Sequence, residues 1–309
     1  MAYPVWMDVD TGTDDALAIL LAHSLEEIEI VGLSAVSGNT ELHHSFRNTR
    51  AICALLGGGY PVYAGAPKPL FREPFRAPLV HGSNGLGDVE LPLPQKETVH
   101  EEAAWDALYQ EAKKQGGRLR VIATGPLTNL ATAFAKYPDL PGLIHTLLIM
   151  GGCVSEGNVT PSAEFNIYAD PEAAEAVFLS GPPIVLCPLD VTESLYLTPD
   201  DMRRMRDDGG EAAGYAYDIL QKPWSFHRSY GHPGAQMHDS CPVLYLVHPE
   251  LFTGKEAGVY VETKGRLTYG KTVTDLYSDR KFDRKNALVV LEAKTEECIE
   301  ILIRGIQSI

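Results

Sequence analysis

Four carboxylates lie within eight residues near the start of the chain, in the segment Asp8-Val9-Asp10-Thr11-Gly12-Thr13-Asp14-Asp15. Because alternate residues of a strand share one face, we expect Asp8 and Asp10 to point the same way, with Gly12 permitting a tight turn into a helix. Like charges held together raise one another's pKa unless a cation offsets them. Since the segment contains no histidine or cysteine, it predicts a site for a hard cation, Ca²⁺ or Mg²⁺, rather than for zinc.

A simpler role fits part of the same segment. Thr13, Asp14 and Asp15 can cap the following helix and favour the positive end of its dipole, which requires no chemistry. For Asp14 taken alone, this interpretation is the better one. It leaves Asp8 and Asp10 unexplained, so a cation site is the preferred interpretation of the whole segment.

Further groups that suit a cation site occur later in the chain. Thr124 stands where an apolar segment stops before Gly125 and Pro126, and a carbonyl freed at a strand end is a good ligand for a hard cation. Asp239 could complete that site, while the adjacent His238 can donate a proton near neutral pH. Each of these residues alone also fits a turn or a structural role.

Residues 157–166 combine two amides with a carboxylate, in Asn158, Glu164 and Asn166. Amide and carboxylate groups are suited to holding the hydroxyls of a sugar. Judged alone, the segment fits Asx turns in a surface loop equally well. The separate segments therefore indicate a functional site only when they are taken together.

Composition narrows the classes of partner. The chain has 309 residues, a formal charge of -15 and 45% hydrophobic residues, which disfavours broad binding to nucleic acid or anionic membranes and favours small molecules and cations. No apolar run approaches the roughly 18 residues of a membrane helix, and the start of the chain lacks a secretory signal pattern, so we expect a cytoplasmic protein. The five cysteines are odd in number and far apart, as expected for reduced packing residues.

Strands alternate with helices over the first two thirds of the sequence. The apolar patterns predict strands at 5–9, 28–36, 61–64, 118–123, 146–150 and 184–187, and helices at 15–24, 43–56, 100–115, 127–137 and 171–179. This alternation predicts an α/β fold, Rossmann-like, with a mainly parallel central sheet and helices on both faces. Ligands of such sheets bind at the carboxyl ends of the strands, which is where the acidic segment falls.

The remaining segments are less regular. Residues 67–94, rich in proline and glycine, predict a long loop of the kind that often carries function. The pattern is helical again after residue 200, irregular and rich in aromatic residues and histidine over 222–242, and then predicts a hairpin around Lys264 and Gly265, a strand at 288–291 and a helix from Thr295. Without a repeat or a linker, residues 1–309 are predicted to form a single domain.

Together these motifs resemble the inosine-uridine-preferring nucleoside hydrolase family in identity, order and spacing across nearly the whole chain. The segments that carry the resemblance are residues 8–16, Ser37-Gly38-Asn39-Thr40, His81-Gly82, residues 123–129, Met150-Gly151-Gly152, Glu164-Phe165-Asn166, His238-Asp239 and residues 269–275. The resemblance implies the nucleoside hydrolase fold and a ribonucleoside N-glycosidase, which uses water to release ribose and free base in nucleoside catabolism or purine and pyrimidine salvage.

The resemblance also implies roles for individual residues. Ca²⁺ would be held by Asp10, Asp15, Asp239 and the backbone carbonyl of Thr124. The residues implied to hold ribose are Asp14, Asn39, Met150, Asn158, Glu164 and Asn166, and those implied to line the base pocket are His81, Phe226, His227, Tyr230 and His238. Asp10 would be the general base, while His238 or a neighbour protonates the departing base. A homo-oligomer, dimer or tetramer, is implied as well.

Two positions depart from the family pattern and bear on which base the protein prefers. Thr11 stands where many members have proline, and Asn84 stands at a loop position that is often acidic. Neither touches the implied calcium ligands. Both leave the choice between purine and pyrimidine nucleosides open.

Two alternatives remain from other functional classes. The opening Asp-x-Asp pattern also resembles haloacid-dehalogenase-like phosphatases, in which Asp8 would be the nucleophile and Mg²⁺ the metal. We find no phosphate-binding Ser/Thr and Lys pattern in the expected order, which argues against that reading. A calcium-stabilised protein that binds nucleosides without cutting them would contain most of the same groups.

Overall fold

Strands form the frame of the molecule. The computed structural model describes residues 2–93, 100–277, 282 and 284–309. In chain order, the strands are β1 (Tyr3–Val9), β2 (Ile28–Ala35), β3 (Val62–Ala64), β4 (Leu119–Ala123), β5 (Ile144–Met150), β6 (Ile184–Cys187), β7 (Tyr196–Leu197), β8 (Ala235–Gln236), β9 (Phe252–Val261), β10 (Thr272–Asp275) and β11 (Ala287–Ala293). Within the described residues, nine of these strands form one sheet, and β7 pairs with β8 separately.

Helices connect most of the strands. They are α1 (Thr13–Ser24), α2 (Leu42–Leu55), α3 (Pro78–His81), α4 (Ala104–Gln115), α5 (Thr128–Lys136), α6 (Phe165–Ala169), α7 (Pro171–Ser180), α8 (Leu189–Thr192), α9 (Pro199–Asp207), α10 (Glu211–Ser229), α11 (Ser240–Val247) and α12 (Thr295–Gln307), with 3₁₀ helices at Leu140–Leu143 and Pro249–Leu251. In the described part of the chain, no helix has the length and apolar character needed to span a bilayer.

The strand order of the large sheet is β10-β9-β11-β6-β5-β4-β1-β2-β3. The pairings from β3 across to β11 are parallel, whereas β9 runs antiparallel to both of its neighbours, β11 and β10. The predicted mainly parallel sheet is therefore confirmed. An edge pair of opposite direction is a common addition to such sheets.

Side chains of the central strands alternate between two apolar cores, as the two-residue period of a strand requires. Met7 belongs to the core that also contains α1, α10, α11 and α12, whereas Trp6 belongs to the core beneath α4, α5 and α7. Ile122 and Val121 of β4 divide in the same way. Helices therefore cover both faces of the sheet, as predicted from the sequence.

The chain changes direction across the sheet at β1. It moves outward from β1 through β2 to β3, then returns to the other side of β1 as β4. The turn after β4 lies against β1, since the backbone N–H of Thr124 donates to the carbonyl of Asp8 at 2.9 Å. Such a switch point opens a crevice at the carboxyl ends of the strands.

Asp8 joins several elements at this switch point. Its Oδ1 accepts hydrogen bonds from the hydroxyl of Ser34 on β2 and from Nδ2 of Asn129 on α5, the latter at 2.7 Å. The Oδ1 of Asn129 in turn accepts from the backbone N–H of Ala66, also at 2.7 Å. Asp8 is fully buried, so its carboxylate ties β1, β2 and α5 together.

The prediction of an irregular segment over residues 222–242 is partly wrong. Helix α10 continues to Ser229 with Pro223 inside it, and α11 begins at Ser240. Ile219, Pro223 and His227 are buried at four-residue spacing, so packing of one helix face outweighs the hydrogen bond that proline cannot donate.

Other predicted boundaries shift less. The helix predicted at 100–115 begins only at Ala104, and the long loop predicted at 67–94 contains the short helix α3, with Pro94 lying outside the described residues. The predicted hairpin around Lys264 and Gly265 is confirmed by the antiparallel pairing of β9 with β10.

Replacing Asn129 with alanine should lower the free energy of unfolding by about 3 kcal/mol, because a buried carboxylate and a buried N–H each lose a partner. The measurement is the urea midpoint of the purified protein. The matched control is Thr132→Ala, since the hydroxyl of Thr132 bonds only to its own helix, at Thr128 O, and its loss should change stability by no more than about 0.5 kcal/mol. An unchanged midpoint for Asn129→Ala would contradict the role given to Asn129.

Candidate active site

A cavity of about 750 Å³ lies at the carboxyl edge of the sheet, lined by residues that follow β1, β4 and β5. Its volume suits a small organic molecule. Its lining includes most residues singled out in the sequence: Asp14, Asn39, His81, Thr124, Met150, Asn158, Glu164, Asn166, Phe226, His227, Tyr230, His238 and Asp239. Asp10 and Asp15 are fully buried and lie behind this lining.

Three carboxylates converge at the inner end of the cavity. One oxygen each of Asp14, Asp15 and Asp239 lies within 4.8 Å of the others. Asp10 lies outside this mutual group, although its Oδ2 is fixed by the backbone N–H of Asn39 at 2.6 Å. The structure thus brings together two of the three predicted carboxylate ligands, with Asp14 as the third member of the group.

The turn after β1 holds Asp15 in place. Its Oδ2 accepts the backbone N–H of Gly12 at 2.8 Å, and its Oδ1 accepts the hydroxyl of Thr124 at 2.7 Å. The first bond caps α1, so the capping role considered for the acidic segment is present for Asp15. The same carboxylate also faces its acidic neighbours, so capping and cation binding are compatible.

Burial and mutual repulsion raise the pKa values of the carboxylates in this cluster. Burial and the neighbouring Asp15 carboxylate raise the pKa of Asp14 to about 7, and burial is also the main cause of the raised pKa values of Asp10, Asp15 and Asp239. Asp10 Oδ1 and Asp14 Oδ1 are buried without a hydrogen-bond partner. Oxygen donors in this state fit a hard divalent cation, which would satisfy them and offset their repulsion.

Asp8 lies outside the cavity, although its Oδ2 is also buried without a hydrogen-bond partner among the described residues. Its Oδ1 is already bonded to Ser34 and Asn129. Burial raises the pKa of Asp8 to about 6. A phosphatase of the alternative class needs this carboxylate as an accessible nucleophile, so the arrangement argues against that alternative.

Three histidines face the cavity in neutral form. Burial, joined by repulsion from neighbouring imidazoles, lowers the pKa of His81 and of His238 to about 3 and that of His227 to about 4. Backbone N–H groups of Thr13 and Gln236 donate to Nδ1 of His81 and His227, each at 3.2 Å. Because a backbone N–H can only donate, Nε2 carries the hydrogen in both rings.

His238 is held differently from the other two. Its Nδ1 lies 2.8 Å from the hydroxyl of Thr192, at the end of α8. A hydroxyl can donate or accept, so this contact allows either tautomer of the ring. His238 directly precedes Asp239, which places an imidazole next to the carboxylate cluster.

Glu164 and Asn166 form a polar wall between the cluster and β5. The carboxylate of Glu164 accepts backbone N–H groups of Gly152 at 2.8 Å, Asn166 at 2.8 Å and Ile167 at 3.2 Å. Burial nevertheless raises the pKa of Glu164 to about 7. Asn166 Nδ2 donates to the carbonyl of Thr124 at 2.7 Å, so that carbonyl, predicted as a cation ligand, already accepts one hydrogen bond and retains a second lone pair.

Aromatic rings line the outer part of the cavity. Phe226 and Tyr230 lie with ring centroids 5.0 Å apart, at the end of α10. Tyr230 is 72% exposed, so its ring borders solvent. A flat apolar ligand can stack on rings arranged in this way.

Several lining residues were not predicted from the sequence. They are Thr13, Phe75, Arg76, Glu193, His232 and Gln236, with others from residues 77–80 and Val159, Phe165 and Pro223. Most belong to segments without a chemical motif, although Gln236 stands two residues before His238. Asn84 is not among them, because its side chain bonds within its own loop, to Leu86 N and Val89 O.

Comparisons with known proteins agree over the length of the chain. The family model described as inosine-uridine preferring nucleoside hydrolase matches residues 5–300. The pyrimidine-specific ribonucleoside hydrolase RihA of Salmonella paratyphi C is 37% identical to this chain over 310 residues, which cover 99% of each protein.

Solved structures give the same result. A plant nucleoside hydrolase, the PpNRh1 enzyme, superposes with a TM-score of 0.94 at 28% identity and covers 100% of both chains. The purine-preferring ribonucleoside hydrolase from Gardnerella vaginalis superposes with a TM-score of 0.92 at 31% identity, covering 99% of this chain and 98% of that one. The predicted fold class and family are confirmed.

Gly38 leaves room for the Asp10 carboxylate, because a Cβ at that position would lie 2.1 Å from Asp10 Oδ2. Gly38→Ala should therefore displace Asp10 and weaken the binding of a divalent cation, tested with Ca²⁺, by about tenfold or more, as is typical when the support of a metal ligand is lost. Titration calorimetry provides the measurement. Gly142→Ala is the control, since a Cβ there meets nothing within 4 Å; equal calcium affinity in both variants would show that Asp10 is not a ligand.

Proposed function

The chain belongs to the inosine-uridine preferring nucleoside hydrolase family and is a ribonucleoside hydrolase, and from this premise we propose that it cleaves N-glycosidic bonds in a calcium-dependent reaction with Asp10 as the general base. The observation that carries this proposal is that buried carboxylates, with oxygens that have no partner among the described residues, share one site with neutral imidazoles, with Asp14 in the cavity wall and Asp10 behind it. The carboxylates are suited to binding the sugar and the attacking water, and the imidazoles are suited to contacting the base.

The residues that would hold calcium are Asp10, Asp15, Asp239 and the carbonyl of Thr124. When bound, Ca²⁺ supplies a fixed positive charge that orients the ribose diol and the attacking water and makes that water more acidic. Asp10 is suited to take the proton of the water, because Asn39 N–H fixes its Oδ2 while its Oδ1 has no partner. One oxygen of Asp10 is thus anchored, and the other is buried without a partner among the described residues.

Carboxylate and amide oxygens stabilise the sugar as the bond breaks. Cleavage of an N-ribosyl bond develops positive charge on the ribose, so negative groups beside it favour the transition state over the neutral substrate. Asp14, Asn39, Asn158, Glu164 and Asn166 would contact the ribose, with Met150 packed against it. Three backbone N–H groups fix the Glu164 carboxylate before substrate binds, which is the preorganisation that such stabilisation requires.

The departing base needs a proton or a strong hydrogen bond. His238 would supply it, with His81 and His227 beside it, in the division of roles seen in inverting glycosidases. Burial and, secondarily, the neighbouring imidazoles lower the pKa of His238 in the absence of substrate. Negative charge that develops on a leaving base counteracts this repulsion, so it favours protonation at the moment when a proton is needed.

Pyrimidine ribonucleosides are the substrates we propose to be preferred. The relative named as pyrimidine-specific is 37% identical to this chain, compared with 31% for the structure named as purine-preferring. Phe226 and Tyr230 would stack on the base from α10. Stacking on these two rings does not distinguish a pyrimidine from a purine. The proposed preference therefore rests on the higher sequence identity to the pyrimidine-specific relative.

Wild-type protein should release ribose from uridine and cytidine faster than from inosine and guanosine in the presence of Ca²⁺. Release should stop after addition of a chelator and return when Ca²⁺ is restored, because the carboxylate cluster then regains its compensating charge. A reducing-sugar assay measures the rate. Faster release from inosine would refute the preference only, whereas no ribose from any nucleoside would favour a binding protein without catalysis.

Two variants in the same assay separate the roles of the first two aspartates. Asp10→Asn removes the proton acceptor and should abolish measurable release. Asparagine has nearly the size of aspartate and can still accept the hydrogen bonds from Ser34 and Asn129. Asp8→Asn should therefore retain the release of ribose. The reverse result would support nucleophilic chemistry at Asp8.

His238→Ala should slow release of uracil from uridine by about a hundredfold or more, the usual contribution of a general acid. Release of p-nitrophenolate from p-nitrophenyl riboside should fall much less, because that group leaves without a proton. His145→Ala, an exposed histidine that contacts Thr146, is the control for both substrates. Equal losses on the two substrates would show that His238 positions the substrate rather than protonating the base.

A further inference from the structure

The segment Tyr269-Gly270-Lys271-Thr272-Val273-Thr274-Asp275 belongs to the family resemblance but does not line the cavity. Its half-buried Lys271 reaches the turn that follows β5. The ammonium donates to three successive backbone carbonyls, those of Cys153 at 3.1 Å, Val154 at 2.8 Å and Ser155 at 2.9 Å. An ammonium has three donors, so these carbonyls use its full capacity.

Thr272 binds the same turn from within the core. Its hydroxyl accepts the backbone N–H of Cys153 at 2.9 Å and donates to the carbonyl of Cys153 at 2.8 Å. Gly152 permits this approach, because it has a φ of +72° and a Cβ there would lie 2.6 Å from Cγ2 of Thr272. The left-handed backbone of Gly152 thus allows the buried hydroxyl of Thr272 to reach the turn.

Asp190 holds the opposite side of the turn. Its Oδ2 accepts the N–H of Val154 at 2.6 Å and its Oδ1 accepts the N–H of Ser155 at 2.9 Å. The cation of Lys271 therefore binds the carbonyls of this short segment while the carboxylate of Asp190 binds its N–H groups. Bonds from charged groups are about twice as strong as neutral ones, so the turn is fixed from two sides.

The turn leads directly to the ribose side of the cavity. Gly152, which adjoins the clamped residues, donates its N–H to Glu164 Oε2 at 2.8 Å. Displacement of the turn would therefore loosen one of the three N–H bonds that fix the Glu164 carboxylate. None of Lys271, Thr272 and Asp190 lines the cavity, so they act on it through the turn that they hold.

We propose that Lys271, Thr272 and Asp190 are positioning residues that clamp residues 152–155 and thereby fix the Glu164 carboxylate against the ribose. This inference rests on the proposed function, in which Glu164 contacts the sugar. A misplacement of about 1 Å at a reacting centre can cost about a hundredfold in rate, so loosening the clamp reduces catalysis without removing any group that touches substrate.

Thr272→Val tests the clamp, because valine keeps the shape of threonine and loses the hydroxyl. We expect kcat/KM for ribose release to fall by about tenfold to a hundredfold, and Thr272→Ser, which restores the hydroxyl, to recover most of the loss. Lys271→Met should act in the same direction. Lys264→Met, in the same β9–β10 connection but exposed, is the control and should match the wild type.

A double-mutant cycle separates positioning from general destabilisation. In a Glu164→Gln background, Thr272→Val should cost little more, because both changes act on one carboxylate. Equal factors in both backgrounds, at temperatures well below each melting temperature, would overturn the proposal. Asp190→Asn replaces Thr272→Val in the cycle if the latter does not fold. A wild-type protein that releases no ribose would instead refute the proposed function.

Discussion

Burial of several carboxylates in one place is the constraint on which the rest of the structure depends. Asp10, Asp14, Asp15 and Asp239 are brought together from the turn after β1 and from the start of α11, and burial raises the pKa of each. Backbone N–H groups of Gly12 and Asn39 and the hydroxyl of Thr124 offset part of that cost. The strand switch at β1 allows these donors to converge, because the turns that follow β1, β2 and β4 meet at one edge of the sheet.

The opposite end of the cavity has the complementary property. His81 and His227 are buried and His238 is half-buried, close enough to repel one another when charged, so one end of the cavity carries carboxylates and the other carries neutral imidazoles. A nucleoside that places its ribose at the acidic end meets a gradient that matches the charge separation of N-glycosidic cleavage. Neither end alone indicates this reaction.

The fold and the acidic turn could be predicted from the sequence because they depend on local patterns. The periods of the apolar residues predict β1, β2 and α1 to within about two residues of their ends. Asp10, Asp14 and Asp15 lie close together in the sequence because they belong to the single turn that joins β1 to α1. The continuation of α10 through Pro223 depends on packing across the molecule, which no local pattern contains. Similarly, the bond from Asn166 to Thr124 and the presence of Glu193 and His232 in the lining depend on how distant segments meet.

The aromatic rings proposed to stack on the base and the groups proposed to hold the sugar come from different parts of the chain. Phe226 and Tyr230 belong to the end of α10, whereas the carboxylates and amides follow β1, β2 and β5. Substitution at the end of α10 can therefore remodel the outer pocket while the strand-end machinery stays intact. Because of this separation, natural or laboratory selection for nucleosides with modified bases can change the outer pocket and leave the groups that carry out hydrolysis unchanged.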